Sequence, residues 1–173
     1  MKRVQLESPY RGNNYEQTEL NIEYAHLCIA DCLSRNEAPF ASHILYTKAT
    51  DDTNPVERAF GIEAGFAFLA IAEKSVVYTD FGISEGMKKG IQRALDLQLD
   101  VEYRKLPEEV MHKLITINKF NQLWKEISNE EPIRGKAHSP VVETIDWNYS
   151  NIDWLRMSKD LEDFNKSNKK ATN

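Results

Sequence analysis

Between Ser75 and Arg104 the sequence SVVYTDFGISEGMKKGIQRALDLQLDVEYR runs from a short β-branched strand into Asp80, Gly82, Ser84 and Gly86, then through a helix to a second strand. Two strands joined by a helix in that order form a parallel pair with a crossover, which restricts the chain to α/β architectures. The loop between strand and helix gathers a carboxylate, a hydroxyl and backbone N–H groups at one helix N-terminus, where sugar hydroxyls and phosphates can be held. The expected ligand is therefore a small polar molecule of nucleoside or nucleotide type.

The rest of the chain repeats the alternation. Val4 to Glu7 reads as a strand, broken by Ser8-Pro9-Tyr10-Arg11-Gly12-Asn13-Asn14, and Leu20, Tyr24, Leu27, Ile29 and Leu33 recur at helical intervals from Tyr15 to Arg35. Pro39 opens a second strand region, placed at Ala41 to Thr47, and Asn54-Pro55 starts a helix expected to reach about Lys74. The third strand is Ser75 to Thr79, its helix Ser84 to about Gln98, and the fourth strand Val101 to Arg104. Right-handed crossovers then give a Rossmann-like or flavodoxin-like parallel sheet in the order 2-1-3-4 with helices on both faces. Pro107 to about Ser128 reads as one amphipathic helix, Asn129 to Pro140 as a linker, Asn151 to Phe164 as a last helix and the lysine-rich end as a tail. The organisation expected is an α/β domain over 1–106, a helical extension over 107–165 and a tail over 166–173.

With 173 residues, 41% of them apolar, the chain can bury one substantial core. A formal charge of −5 argues against a broad nucleic-acid surface and is compatible with a free nucleotide. No apolar run approaches membrane-spanning length and MKRVQLESPY lacks a signal-peptide core, so the expectation is a cytosolic protein. Cys28 and Cys32, the two cysteines, fall on one face of the first helix and read as reduced core residues; no set completes a metal site, and neither metal nor cofactor is expected.

Ser8-Pro9-Tyr10 after the first strand, with Asp80-x-Gly82-x-Ser84-x-Gly86 after the third, resembles the nucleoside 2-deoxyribosyltransferase-like superfamily over residues 4 to 104. The chain is also similar to a phage and bacterial group of uncharacterised domains with the same SPY and GIS-x-GM signatures. The resemblance implies a nucleoside or nucleotide ligand and a homo-oligomer whose subunits complete each other's sites. It also implies a nucleophilic glutamate on the helix after the glycine motif, and in this chain that position is Gly90. Glycine offers no side chain for nucleophilic or acid–base work, so either another carboxylate substitutes or the site only binds. The phage resemblance makes sequestration of a nucleotide immune signal a specific expectation.

In the order 2-1-3-4 the loops after strands 1 and 3 share the crevice at the topological switch point. Candidate ligand residues are Ser8, Tyr10, Arg11 and Gly12 from the first loop, and Asp80, Gly82, Ser84, Glu85, Gly86 and Met87 from the second. Tyr10 suits base stacking and Arg11 a phosphate, against readings as a packed aromatic and a surface charge. Asp80 suits sugar hydroxyls or a turn; Ser84 suits a helix cap as well as ligand contact, while the charge of Glu85 opposes a phosphate placed directly there. Glu63, in the apolar run GIEAGFAFLAIA, and Glu85 are the candidate substitute acids, with Arg58 an anion contact or intrahelical partner. His43, expected in an apolar strand, reads first as a hydrogen-bonded core histidine. Three functions follow in order: binding without ribosyl transfer, cleavage or transfer at an N-glycosidic bond, and a protein-interaction module with a vestigial crevice.

Overall fold

The computed structural model describes residues 1–128. The linker, last helix and tail expected beyond Ser128, with Trp147, Tyr149 and Trp154, lie outside the described residues. Four strands, β1 (Lys2–Glu7), β2 (Glu37–Phe40), β3 (Lys74–Tyr78) and β4 (Asp100–Arg104), form one all-parallel sheet in the order β2-β1-β3-β4. Between and after them come helices α1 (Tyr15–Ser34), α2 (Ser42–Leu45), α3 (Pro55–Leu69), α4 (Glu85–Asp96) and α5 (Glu108–Ser128). The α/β class and strand order follow the alternation in the sequence.

Strand periodicity divides the molecule into two unlike halves. Val4 and Leu6 of β1, with Val76 and Tyr78 of β3, point into a core completed by Tyr24, Leu27, Cys28 and Cys32 of α1 and by Val110 and Leu114 of α5. Both cysteines are free and buried there. The opposite side of β3 and β4 carries Val77 and Val101 against Met87 and Ile91 of α4, a much smaller cluster. On that side β1 presents Gln5 and Glu7, in register with Ser75 and Val77. Central parallel strands are ordinarily apolar on both faces. The two polar residues leave the space between β1, α3 and the first turn of α4 without an apolar filling.

The second strand is not where β-rich composition put it. It is Glu37–Phe40, while Ser42–Leu45 is helical and Tyr46–Lys48 a 3₁₀ turn. Pro39 sits inside the strand because β2 is an edge, hydrogen-bonded on one side only. Ile44, in the stretch read as strand, packs against the α1 core instead of joining the ladder. Its tertiary contacts override β propensity. Helix starts follow local chemistry: the Asn14 side chain accepts from Gln17 N–H at 2.8 Å, and the Asn54 side chain accepts from Val56 N–H at 3.0 Å ahead of Pro55. Helix α3 ends at Leu69 rather than Lys74, since Glu73 turns to donate its N–H to the Arg3 carbonyl at 2.9 Å.

Candidate functional site

A cavity of about 350 Å³ opens between the end of β1, its following loop, α2, α3 and the first turns of α4. Its depth is ordered by exposure. Gln5 (2% exposed) and Ser8 (3%), with buried Gly65, Met87 and Gly90, form the floor. Arg11 and Arg58, whose side chains are 50% and 37% exposed, stand at the rim. Tyr10, Tyr46 and Phe66 supply aromatic wall. A volume of this size suits a ligand of mononucleotide scale.

The loops after β1 and β3 meet as the topology requires. Ser8, Tyr10, Arg11 and Gly12 all line the cavity, as do Ser84, Glu85, Gly86 and Met87. Gly12 is packed so closely that a Cβ there would lie 2.7 Å from the Gln17 backbone, so no larger residue fits without moving α1. Ser84 is the cap expected, its Oγ accepting from Met87 N–H at 3.3 Å.

Asp80 and Gly82 do not line the cavity. The Asp80 carboxylate turns the other way, accepting from the Tyr24 hydroxyl at 2.6 Å and from Leu106 N–H at 3.1 Å, so it ties α1 and the β4–α5 connection to the end of β3. Gly82, at φ +82°, serves the turn that a side chain would strain. Glu63 is exposed and absent from the cavity lining, because Gly61, Ile62, Gly65 and Phe66 form the α3 face turned inward. Glu85 reaches the rim, but its side chain is 84% exposed and accepts from Lys88 at 2.5 Å. That ammonium holds its carboxyl below the usual range. Neither acid is buried in the way a substitute catalytic carboxyl requires.

The carboxyl inside the cavity is that of Glu7, a half-buried residue at the end of β1 that the sequence pattern marks only as strand. Burial pushes its pKa up to about 8, partly opposed by a hydrogen bond from Gln5, so it is largely protonated at neutral pH. The carboxyl lies against Gly90: a Cβ built there would meet Glu7 Oε1 at 2.5 Å and Oε2 at 2.9 Å. Gly90 is therefore a glycine that makes room for an acid from the facing strand. The clue in the sequence was Gln5 and Glu7 alternating with Val4 and Leu6 on a strand destined for the sheet centre.

His43 lies on α2, not a strand, and its Nε2 shares a 2.8 Å hydrogen bond with Ser8 Oγ. Desolvation lowers its pKa to about 4. Neutral across the physiological range, the ring is a weak base for Ser8 and a good hydrogen-bonding partner. At the rim, Arg11 Nη2 donates to Asp52 Oδ2 at 2.6 Å and to the Asp52 carbonyl, while Arg58 Nη1 donates to both Asp52 oxygens at 2.6 and 2.5 Å. Two guanidinium groups thus share one carboxylate, with Asp51 a further negative neighbour of Arg11. Arg58 also borders the α4 N-terminus, its Nη2 lying 3.9 Å from where a Cβ on Gly86 would stand. Guanidinium groups beside a helix N-terminus attract an anion.

Among the described residues no helix is long and apolar enough to cross a membrane, and no group of three or more His, Cys, Asp or Glu side chains is placed to hold a metal ion. The chain belongs to the family described as a domain of unknown function (DUF7768), whose model matches residues 2–104, the α/β part up to the end of β4. No curated protein and no solved structure matches it.

Proposed function

We propose that this domain binds a nucleoside- or nucleotide-derived small molecule in the β1–α3–α4 cavity and holds it without ribosyl transfer. The observation that carries this reading is the convergence of Arg11, Arg58 and the α4 N-terminus on the rim of a mononucleotide-sized cavity. An anionic group rests at that rim, and the uncharged remainder of the ligand lies along the aromatic wall toward Gln5. Sequestration of a nucleotide signal in the cytosol, as in phage countermeasures against host defence, fits a site that has exchanged a helix carboxylate for glycine. A homo-oligomer fits the apolar exposure of α3 and its end, where Phe60 is 72%, Phe68 44% and Ile71 57% exposed.

A second reading, cleavage at an N-glycosidic bond, is favoured by one specific feature: the carboxyl of Glu7 fills the space beside Gly90. It would be the acid in place of Glu63 or Glu85. The two readings separate when the purified protein is incubated with a nucleotide-rich extract and its bound small molecules are released by heating for mass spectrometry. Intact nucleotide recovered in stoichiometric amount supports binding. Free base and sugar phosphate absent from a protein-free control transfer the conclusion to the enzyme.

Gly90→Ala is expected to leave the fold standing, because alanine gains about 0.5–1 kcal/mol of helix propensity and the obstructing atoms belong to the movable end of Glu7. The displaced carboxyl swings into the cavity, and nucleoside 5′-monophosphate affinity falls about tenfold. Calorimetric titration beside a thermal melt checks this. A large loss of melting temperature with affinity retained would reverse the assignment.

A further inference from the structure

We infer that Gln5 and Glu7 read the hydrogen-bonding edge of a neutral nitrogen heterocycle, accepting an N–H and donating to the ring acceptor beside it. This rests on the nucleotide-binding reading and assigns the end of the ligand remote from the phosphate. Gln5 is 2% exposed and lines the cavity, yet its Oε1 has no hydrogen-bond partner. A buried amide oxygen left unpaired has lost its water without gaining a partner. Its Nε2 makes two contacts, to Glu7 Oε1 and Ser42 Oγ, both stretched to 3.5 Å. A side chain held so loosely at the floor, with its acceptor unused, is complementary to a ligand donor.

Glu7 supplies the other half. A protonated carboxyl can donate as well as accept, so Gln5 Oε1 and the Glu7 hydroxyl together offer one acceptor and one donor. The matching edge is an adjacent N–H and acceptor, as in the lactam of uracil or guanine and the amidine of adenine or cytosine. A second phosphate is a poor occupant of the floor, because the arginines lining the cavity stand at its rim and Glu7 would repel it when ionised. The alternation of β1 keeps the two residues on one face while Val4 and Leu6 fill the opposite core.

Recognition by a protonated carboxyl carries a pH signature. The other ionisable groups around the cavity are His43 on α2, Tyr10 and Arg11 after β1, Tyr46 after α2, Asp52 and Arg58 at the α3 entry and Glu85 on α4. His43 is already neutral above about 4 and Glu85 is already ionised, so neither changes charge above neutrality. Glu7→Gln keeps a neutral donor at every pH and so isolates the contribution of Glu7.

The test titrates the full chain with uridine and adenosine 5′-monophosphates, their N3-methyl and N6,N6-dimethyl derivatives, and ribose 5-phosphate, at about pH 7 and 8.5, a window in which the phosphate is already dianionic and the uracil N3–H keeps its proton. For the preferred base, methylation is expected to weaken binding about tenfold or more. Wild-type affinity falls about threefold at the higher pH, Glu7→Gln gives a flat profile, and Gln5→Leu abolishes the discrimination against methylation. Methylated and parent nucleotides binding equally, or Glu7→Gln losing affinity with pH as steeply as wild type, overturns the inference. Ribose 5-phosphate binding as tightly as the nucleotides, in an Arg58-dependent way, removes base reading while leaving the anion site. Absence of binding by every phosphorylated probe removes both.

Discussion

Glu37→Ala is expected to destabilise the fold by about 3 kcal/mol, lowering the thermal midpoint by about 6–12 °C. Arg104 Nη1 and Nη2 donate to the two Glu37 oxygens at 2.6 and 2.8 Å, with side chains 5% and 7% exposed, and the pair links the two edge strands of the sheet. Removing the carboxylate strands a guanidinium beneath α1. The cost falls at the lower end of the range for broken buried pairs because Glu102 still accepts from Arg104 Nε at 2.8 Å. Replacing both partners, Glu37→Leu with Arg104→Met, should recover most of the loss, since an apolar pair leaves no charge unpaired. A midpoint unchanged by Glu37→Ala would show that water reaches the guanidinium. Acid should act in the same direction. Arg104 holds the Glu37 carboxyl below its ordinary value, and Arg104 with Lys74 holds Glu102 at about 2. Both carboxylates bind protons more readily in the unfolded chain. Their contribution is complete above the unfolded value near 4.5 and is lost as pH falls toward about 2.

Arg58→Ala is expected to weaken binding of a nucleoside 5′-monophosphate about 100-fold, equivalent to about 2.7 kcal/mol, while the matching nucleoside loses less than about threefold. The asymmetry separates an anion contact from a general loss of cavity shape. Arg58 is bound to Asp52, which Arg11 also holds, so the loop before α3 retains one of its two ion pairs in the variant. The Arg58-dependent part should shrink as salt is raised, because both arginines are partly exposed and screening acts on them. Titrations of the nucleotide and nucleoside against both proteins check the ratio. Equal losses for the two ligands would mean that Arg58 shapes the cavity and does not meet a phosphate.

Legibility differed between fold and site for physical reasons. Alternating strands and helices with short turns leave few topologies, so the sheet order could be read before any contact was known. The exception was β2, where Glu-Ala-Pro-Phe has little strand character and is recruited by the exposed edge of β1, while the β-rich ASHILYT folds onto α1 and α3. The loop residues that line the cavity were visible because loops at a switch point converge whatever their details. Asp80 misled because its partners, Tyr24 and Leu106, are distant in sequence, and a carboxylate at a strand end looks the same whether it faces a ligand or a tyrosine. Glu7 was hidden for the opposite reason: it belongs to a regular element, and only the face it occupies gives it chemistry. The arginine pair at the rim was half visible, since Arg11 and Arg58 were both candidates, but the Asp52 that joins them gave no local signal.

Helix α3 buries only Gly65 and Leu69, and faces a cavity where a packed core would otherwise hold it to the sheet. The larger core lies in the α1–α5 half, so α3 is expected at the shallow end of the opening free-energy spectrum, with amide exchange by small local excursions. A molecule spanning Arg58 and Gln5 would act as a clasp between that loosely held helix and a central strand of the sheet. Part of its binding energy then appears as slowed exchange along α3, and its residence time is set by how often the helix lifts.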